Sequence, residues 1–153
     1  MRTLRNSSIV FVILLIAVGS QAAASSGPLD EFGDINCEDE MARLDNFAVQ
    51  LQNAPESKGA IVFYAGKMTG GRLPKRGEAE ARVARLKSYL TKRRGIPANR
   101  IVVIDGRYDE SFRVQLWMVP SGAALPKPAP ASPVKQIRFR KGKLNPRDYR
   151  CEI

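Results

Sequence analysis

Two short apolar runs with an amphipathic helical pattern between them constrain the fold of this chain most. Residues 60–64 (AIVFY) and residues 100–105 (RIVVID) each have the length and apolar character of a buried strand. Between them, residues from about 78 to 94 carry apolar side chains at helical spacing: Ala79, Val83, Leu86 and Leu90. Gly95 and Pro97 follow and are typical of a helix end. The pattern predicts a strand, a helix and a second strand.

The flanking segments add another helix and another strand. Apolar residues recur at helical spacing from Glu38 onward, and residues 53–55 (NAP) end this pattern. Residues 112–119 alternate apolar and polar side chains, which indicates an antiparallel strand with one covered face. A short initial strand has room around residues 32–35. This order predicts an α/β (α+β) two-layer sandwich in which two helices pack on a small mixed sheet.

The first residues are typical of a cleavable signal peptide. Arg2 and Arg5 precede residues 9–18 (IVFVILLIAV), a run that suits a signal core but is short for a span of about 20 apolar residues. Small residues then favour cleavage after Ala24 or after Ala22. We therefore assign residues 1–24 to a signal peptide and expect a periplasmic or secreted chain without an integral membrane segment. The alternative is that residues 9–23 remain as an uncleaved anchor.

Charge is unevenly distributed along the chain. Loss of residues 1–24 removes two arginines and no acid, which lowers the formal net charge from +10 to +8. Residues 25–58 hold eight acids and two bases, whereas residues 59–153 hold 21 bases and seven acids. Such asymmetry indicates either a polyanionic partner or an internal electrostatic clasp. For an exported protein we expect an anionic envelope polymer as the partner, and no nucleic acid.

The two cysteines, Cys37 and Cys151, lie near opposite ends of the exported chain. Disulfides form and persist in exported proteins, so we predict that these cysteines are bonded to each other. The alternative is a reactive thiol pair, which the lack of a C-x-x-C spacing makes the weaker interpretation.

The composition changes after Pro120. Residues 121–133 contain four prolines among alanines and one lysine, which predicts a semi-extended linker. Residues 134–153 form a basic tail, and residues 134–140 alternate as a strand does. With the disulfide formed, this tail is tethered to the first helix, and it either adds to a sheet edge or packs over one. Its charge either binds a partner or complements the acidic first helix.

The chain contains no histidine. This removes the commonest general base, the usual serine and cysteine protease arrangements and the commonest catalytic zinc sets. We therefore expect no enzyme, no metal site and no cofactor. Asp105, Asp109 and Glu110 leave a hydrolase as a minor alternative, although a solvated turn explains these acids more simply.

The second helical segment carries a family pattern. RVARLKSYL at residues 82–90, followed by RGIPANRI at residues 94–101, resembles R-A-x-x-V-x-x-Y-L … G-I-x-x-x-R-I of the OmpA-like C-terminal domain. SFRV at residues 111–114 is similar to N-R-R-V at the start of that family's last strand. Members of the family use this domain to hold the cell wall. The resemblance covers residues from about 34 to 120 and implies an OmpA-like domain over residues 25–120.

The resemblance also implies a ligand site. In that family an arginine early in the second helix and an aspartate in the loop before it hold the diaminopimelate end of the wall peptide. An arginine fork grips a carboxylate, and an aspartate pairs with an ammonium. Arg82 falls at the arginine, whereas Lys67, Met68 and Thr69 occupy the neighbourhood of the aspartate. We expect a basic ligand-binding set: Lys67, Arg72, Lys75, Arg76, Arg82 and Arg113.

Two functions follow as hypotheses. The first is a non-enzymatic, exported domain that associates with the cell wall or another anionic envelope polymer through the basic set. The second is a structural or adaptor protein that uses the same fold and its basic tail to contact an envelope protein partner. A pull-down experiment separates the two hypotheses. Binding to the cell-wall polymer favours the first, and binding to partner proteins only favours the second.

Overall fold

The computed structural model describes residues 27–145, so the predicted signal peptide, the end of the tail and Cys151 lie outside the described residues. Two α-helices and four strands follow one another in this part of the chain. They are β1 (Asp30–Phe32), α1 (Cys37–Asn53), β2 (Lys58–Lys67), α2 (Glu78–Ser88), β3 (Ile101–Ser111) and β4 (Arg113–Val119). A π-helical turn, Tyr89–Arg93, continues α2. No helix within residues 27–145 combines the length and the apolar composition that a membrane span requires.

The four strands form one mixed sheet in the order β1-β4-β2-β3. β2 pairs in parallel with β3 and antiparallel with β4, and β1 pairs antiparallel with β4. The prediction of an α+β fold with two helices and a small mixed sheet is therefore confirmed. A helical crossover joins the parallel strands β2 and β3. β2 lies between β4 and β3 and is buried along nearly its whole length, whereas β3 forms an edge of the sheet.

Both helices begin and end where local chemistry sets their limits. The side chain of Asn36 accepts a hydrogen bond from the Asp39 N–H at 2.9 Å and caps α1. Glu38, Asp39 and Glu40 occupy the first turn, where the helix dipole favours negative charge. After the π-helical turn, Gly95 adopts a φ of 69°, the left-handed stop that the sequence predicts.

The main core lies between the helices and one face of the sheet. Alternate residues of β2 and β4 face the helices, and the largest contributors are Leu44, Phe47, Leu51, Ile61, Phe63, Leu86, Leu90, Val114 and Leu116. α1 approaches β2 closely at Gly59. A Cβ atom there would lie 2.8 Å from the Phe47 ring and 2.9 Å from Leu51, so a side chain at this position would force the layers apart.

The Pro-rich segment covers the other face of the sheet. Ala60, Val62 and Tyr64 point to that face and are fully buried. The Ala129 N–H donates a hydrogen bond to the Tyr64 hydroxyl at 2.9 Å. Trp117 lines a small cavity together with Pro120, Ala123, Ala124 and Pro126. Residues 121–133 therefore pack as a layer of the fold, whereas the sequence predicted a linker.

The tail differs from a regular strand in the described residues. Isolated bridges join Lys75 to Arg140 and Asp109 to Pro133, and no strand is formed between residues 134 and 145. The first bridge places the tail beside the loop after β2, and the second places its start beside β3. The tail thus runs along the same end of the sheet as the 67–76 loop.

Candidate functional site

Arg82 lies in a pair with an aspartate that the sequence did not indicate. Its Nη2 atom is 2.5 Å from Oδ1 of Asp34, and both side chains are 14% exposed. The guanidinium also stacks on Phe112, 5.3 Å from the ring centroid. Within the described residues, the buried Nε and Nη1 atoms of Arg82 have no hydrogen-bond partner. A mostly buried arginine fork thus keeps unused donors beside a carboxylate.

The turn between β1 and α1 brings Asp34 to this position. Thr69, in the loop after β2, donates its N–H to Asp34 Oδ2 at 3.0 Å and its hydroxyl to the Asp34 carbonyl at 2.5 Å. Asp34 and Thr69 therefore tie the two loops together next to Arg82. The sequence prediction searched for an acid only in the 67–76 loop and missed Asp34. The signal available was an acid just before the N-cap of α1, at residue Asn36.

Arg72 and Glu78 form the second pair of the site. Arg72 donates to both carboxylate oxygens of Glu78, at 2.8 and 3.3 Å, and lies 3.9 Å from Asp34. The Lys75 N–H donates to the same carboxylate at 2.7 Å. Burial opposes ionisation of Glu78, but these hydrogen bonds outweigh it and hold the pKa of Glu78 below its ordinary value. Glu78 is 1% exposed and remains a buried anion.

The tail lies over the remaining bases of the loop. The Arg140 N–H donates to the Pro74 carbonyl at 3.0 Å, and Lys75 Nζ donates to the Lys143 carbonyl at 2.9 Å. The guanidinium of Arg76 stacks 4.7 Å above the Phe139 ring. Arg140 also approaches the Glu78 carboxylate to 3.9 Å. The loop and the tail therefore form one continuous surface.

Lys67 and Arg113 are placed differently. Lys67 is exposed, with Nζ 3.9 Å from Glu110. Arg113 donates to Glu31 at 3.1 Å and to Asp109 at 2.8 Å. It stacks 4.5 Å above the ring of Tyr64, on the face that the Pro-rich segment covers. The sheet thus separates Arg113 from Arg82, and the six bases of the predicted set do not form one pocket.

A second buried ion pair lies next to the cysteine of α1. Glu40 and Arg85 are in direct contact, and Arg85 Nη1 lies 3.8 Å from Cys37 Sγ. Burial raises the pKa of Glu40 although Arg85 and Arg82 act in the opposite direction. Cys37 belongs to a disulfide. Its predicted partner, Cys151, lies outside the described residues, so the pairing of the two stays a prediction.

Asp109 has a structural role in this arrangement. Its carboxylate accepts hydrogen bonds from the N–H groups of Glu110, Ala131 and Ser132 and from Arg113. Burial opposes ionisation of Asp109, but the backbone N–H groups outweigh it and hold its pKa below the ordinary value. These four hydrogen bonds stabilise the ionised carboxylate and hold residues 131–132 in place. An ionised carboxylate has no proton to donate, so Asp109 is unsuited to acting as a general acid.

The described residues contain no group of three or more acidic, cysteine or histidine side chains that could hold a metal ion. Comparison of the chain with family models, curated proteins and solved structures gave no match. In the described residues the site consists of arginine–carboxylate pairs and the basic surface around them.

Proposed function

We propose that this protein is an exported, non-enzymatic domain of the cell envelope, of the OmpA-like kind, that associates with the cell wall or another anionic envelope polymer. The apolar segment at residues 9–18 supports export, and the pattern at residues 82–101 supports the family. The element order β-α-β-α-β-β agrees with the order on which the resemblance depends.

The surface shared by the loop and the tail carries this proposal. We call it the tail–loop surface and define it by its exposed bases: Arg76, Lys135, Arg138, Lys141 and Lys143. Glu78, the acid beneath it, is already held by Arg72 and the Lys75 N–H. The exposed bases therefore remain available to an anionic polymer, which would interact with several of them at once.

The pair of Arg82 and Asp34 supports a more specific role. The family holds a zwitterionic wall component with an arginine and an aspartate, and Asp34 supplies an aspartate beside Arg82 from a different loop. Arg82 keeps buried Nε and Nη1 donors without a partner in residues 27–145. In this proposal Arg82 donates hydrogen bonds to a carboxylate of the ligand, and Asp34 attracts the ligand's ammonium group.

A sedimentation assay with purified sacculi tests the proposal. The mature protein should bind at low salt and dissociate as salt rises, because exposed charges are screened beyond about 8 Å at physiological ionic strength. The double variant Arg138→Gln/Lys141→Gln should bind several-fold less. The matched control, Lys92→Gln/Arg93→Gln, removes two exposed bases from the π-helical turn after α2 and should bind as the wild type does. Equal loss in both variants would contradict a localised surface.

Calorimetry with free diaminopimelate tests the role of Arg82. If Asp34 completes the pair, the wild type binds, and both Asp34→Asn and Arg82→Gln abolish binding. Lys67→Asp should change affinity little, because Lys67 is paired with Glu110 outside this pair. Absence of binding in the wild type would assign wall association to the tail–loop surface alone.

The adaptor hypothesis is the second candidate, and one observation favours it. β3 is an edge strand, and its Val103 side chain is 38% exposed. An apolar edge strand is a common place for another chain to add a strand. If Val103→Lys removes a co-purifying envelope protein while sacculus binding is unchanged, the adaptor function takes precedence.

A further inference from the structure

A cleft of about 300 Å³ lies between the loop and the first part of the tail. Its apolar lining consists of Leu73, Pro74, Val134 and Ile137. Both sides are fixed to the fold, since the Val134 N–H donates to the Tyr108 carbonyl at 3.3 Å and the Arg140 N–H donates to Pro74 at 3.0 Å. The cleft is therefore a built feature of the domain.

The apolar lining is only partly covered. Val134 is 37% exposed, and Leu73 and Ile137 are each partly buried, although Ile137 also packs against the main core. Water therefore contacts an apolar wall at this position. A ligand with an apolar body would remove this surface from water, which is favourable in proportion to the area covered.

The charged residues of the cleft determine which head group would fit. Lys67 and Arg138 supply two cations, and Glu110 supplies one anion, which lies 3.9 Å from Lys67. Among residues 27–145, Arg138 takes part in none of the ion pairs. The cleft thus has a net positive charge and an arginine fork that is open to a carboxylate.

We propose that this cleft binds one single-chain anionic amphiphile, with a fatty acid as the simplest example. The alkyl chain lies against Leu73, Pro74, Val134 and Ile137, and the carboxylate pairs with Arg138 and Lys67. The volume is at the lower end of the range for small-molecule pockets, which suits one chain and excludes a two-chain lipid. This binding does not depend on the polymer association proposed above.

Calorimetry on the full mature protein, below the micelle concentration of each probe, tests the proposal. Dodecanoate should bind with one molecule per chain. Dodecylammonium has the same chain with the opposite head charge and should bind at least tenfold more weakly. Acetate has the head group without the chain and should show no binding. Equal binding of the two amphiphiles, or no binding of dodecanoate, would overturn the proposal.

Variants locate the site. Arg138→Gln should weaken dodecanoate binding about tenfold, and Val134→Asn should weaken it as well because it places a polar group in the apolar wall. Both positions are exposed, so the fold should be retained and circular dichroism should be unchanged. Lys127→Gln is the matched control, an exposed base in the Pro-rich segment, and should bind as the wild type does. Loss of affinity in the control equal to that of Arg138→Gln would show non-specific attraction and overturn the assignment.

Dodecanoate binding without sacculus binding would leave this inference intact and reject the proposed function.

Discussion

Glu78 is the carboxylate on which the loop, the second helix and the tail meet. It accepts hydrogen bonds from Arg72 and from the Lys75 N–H, and Arg140 of the tail lies 3.9 Å away. It also stands in the first turn of α2, where the helix dipole favours a negative charge. Glu78 thus joins the loop and α2 and adds to the other contacts that hold the tail beside the loop.

The Glu78→Gln variant should be less stable than the wild type at pH 7 by about 1–3 kcal/mol, because charged donors lose their anion in a buried place. The pKa of Glu78 is lowered from 4.5 in the folded state, so its stabilising effect is present above pH 4.5 and is lost as pH falls through the lower folded value. Urea unfolding at pH 7 and pH 3 should therefore show a difference that shrinks in acid. Glu80→Gln, an exposed neighbour on the same helix, should change stability little. A constant difference at both pH values would contradict this role.

Arg100 completes the end of α1, which has no basic residue in its last turn. Its guanidinium donates to the carbonyls of Leu51 at 2.7 Å, Ala54 at 2.8 Å and Ser57 at 2.9 Å. Leu51 lies in the last turn of α1, where carbonyls have no intrahelical partner. The Ala54 carbonyl also accepts from the Ser57 N–H at 3.0 Å, so Arg100 joins the helix end to the turn that follows it. The planar fork reaches all three at once, which a lysine ammonium does less well.

Arg100→Ala should destabilise the fold by about 1–3 kcal/mol, and Arg100→Lys should recover only part of that loss. Thermal unfolding measured by circular dichroism checks the order wild type, Lys variant, Ala variant. Arg93→Ala removes an exposed arginine from the π-helical turn and serves as the control. A lysine variant as stable as the wild type would show that charge alone matters here.

Asp34 is the residue of the site that the sequence analysis did not predict. Arg82 was predicted from a helical motif, which is a local signal. Asp34 reaches Arg82 only because β1 pairs with β4 and the following turn crosses the sheet end. The sequence places Asp34 just before the N-cap of α1 but does not encode the strand pairing, so this position alone did not assign the acid to the site.

At the scale of elements, β3 shows the same limit. The apolar run predicted a strand at residues 100–105, and the observed strand extends over Ile101–Ser111. The second half is polar and contains Arg107, whose φ is 71°. It remains in the sheet because β2 pairs on one side and residues 132–134 lie on the other. Hydrophobic periodicity detects burial in a core and therefore missed a strand that tertiary pairing stabilises.

The Pro-rich segment, residues 121–133, packs against the sheet because Asp109 holds its C-terminal end in place. The Ala131 and Ser132 N–H groups each donate to the Asp109 carboxylate at 2.9 Å. Proline content predicted a spacer, but composition cannot reveal where a segment docks. The segment covers Val62 and Tyr64, which are fully buried.

Asp109→Asn should loosen residues 121–133 without unfolding the helices. The amide keeps the shape of the side chain but loses the negative charge that attracts Arg113 and two backbone donors. Hydrogen exchange at Ala131 and Ser132 should become at least tenfold faster, and protease cleavage in the segment should increase. Asp105→Asn, on the same strand, changes an exposed carboxylate that accepts a local hydrogen bond from the Arg107 N–H, and it should leave both measurements unchanged. Unchanged exchange in Asp109→Asn would contradict the anchoring role.

At the scale of the whole molecule, part of the uneven charge is neutralised by ion pairs within the fold. Acids of the first part of the chain pair with arginines of the second part: Glu31 with Arg113, Asp34 with Arg82, Glu40 with Arg85 and Asp45 with Arg94. These contacts form the internal clasp that the sequence offered as one of two interpretations. The tail bases Lys135, Arg138, Lys141 and Lys143 lie outside these pairs and are exposed, and a polyanionic partner for them stays a proposal.

The predicted disulfide would link the two ends of the domain covalently, because it would join the start of α1 to the end of the tail. Cys37 belongs to a disulfide, and a bond to Cys151 would enclose more than a hundred residues. In the chain-entropy model a disulfide that closes a loop of that length stabilises the folded state by up to about 4–5 kcal/mol.

Thiol labelling of the denatured, unreduced protein should detect no free cysteine, and the double variant Cys37→Ser/Cys151→Ser should unfold at a lower denaturant concentration. Reductant should lower the wild-type midpoint toward that of the variant and leave the variant unchanged. Two reactive thiols per chain would contradict the pairing, and the position of the tail would then depend on its non-covalent contacts, among them those with Glu78, Pro74 and Lys75.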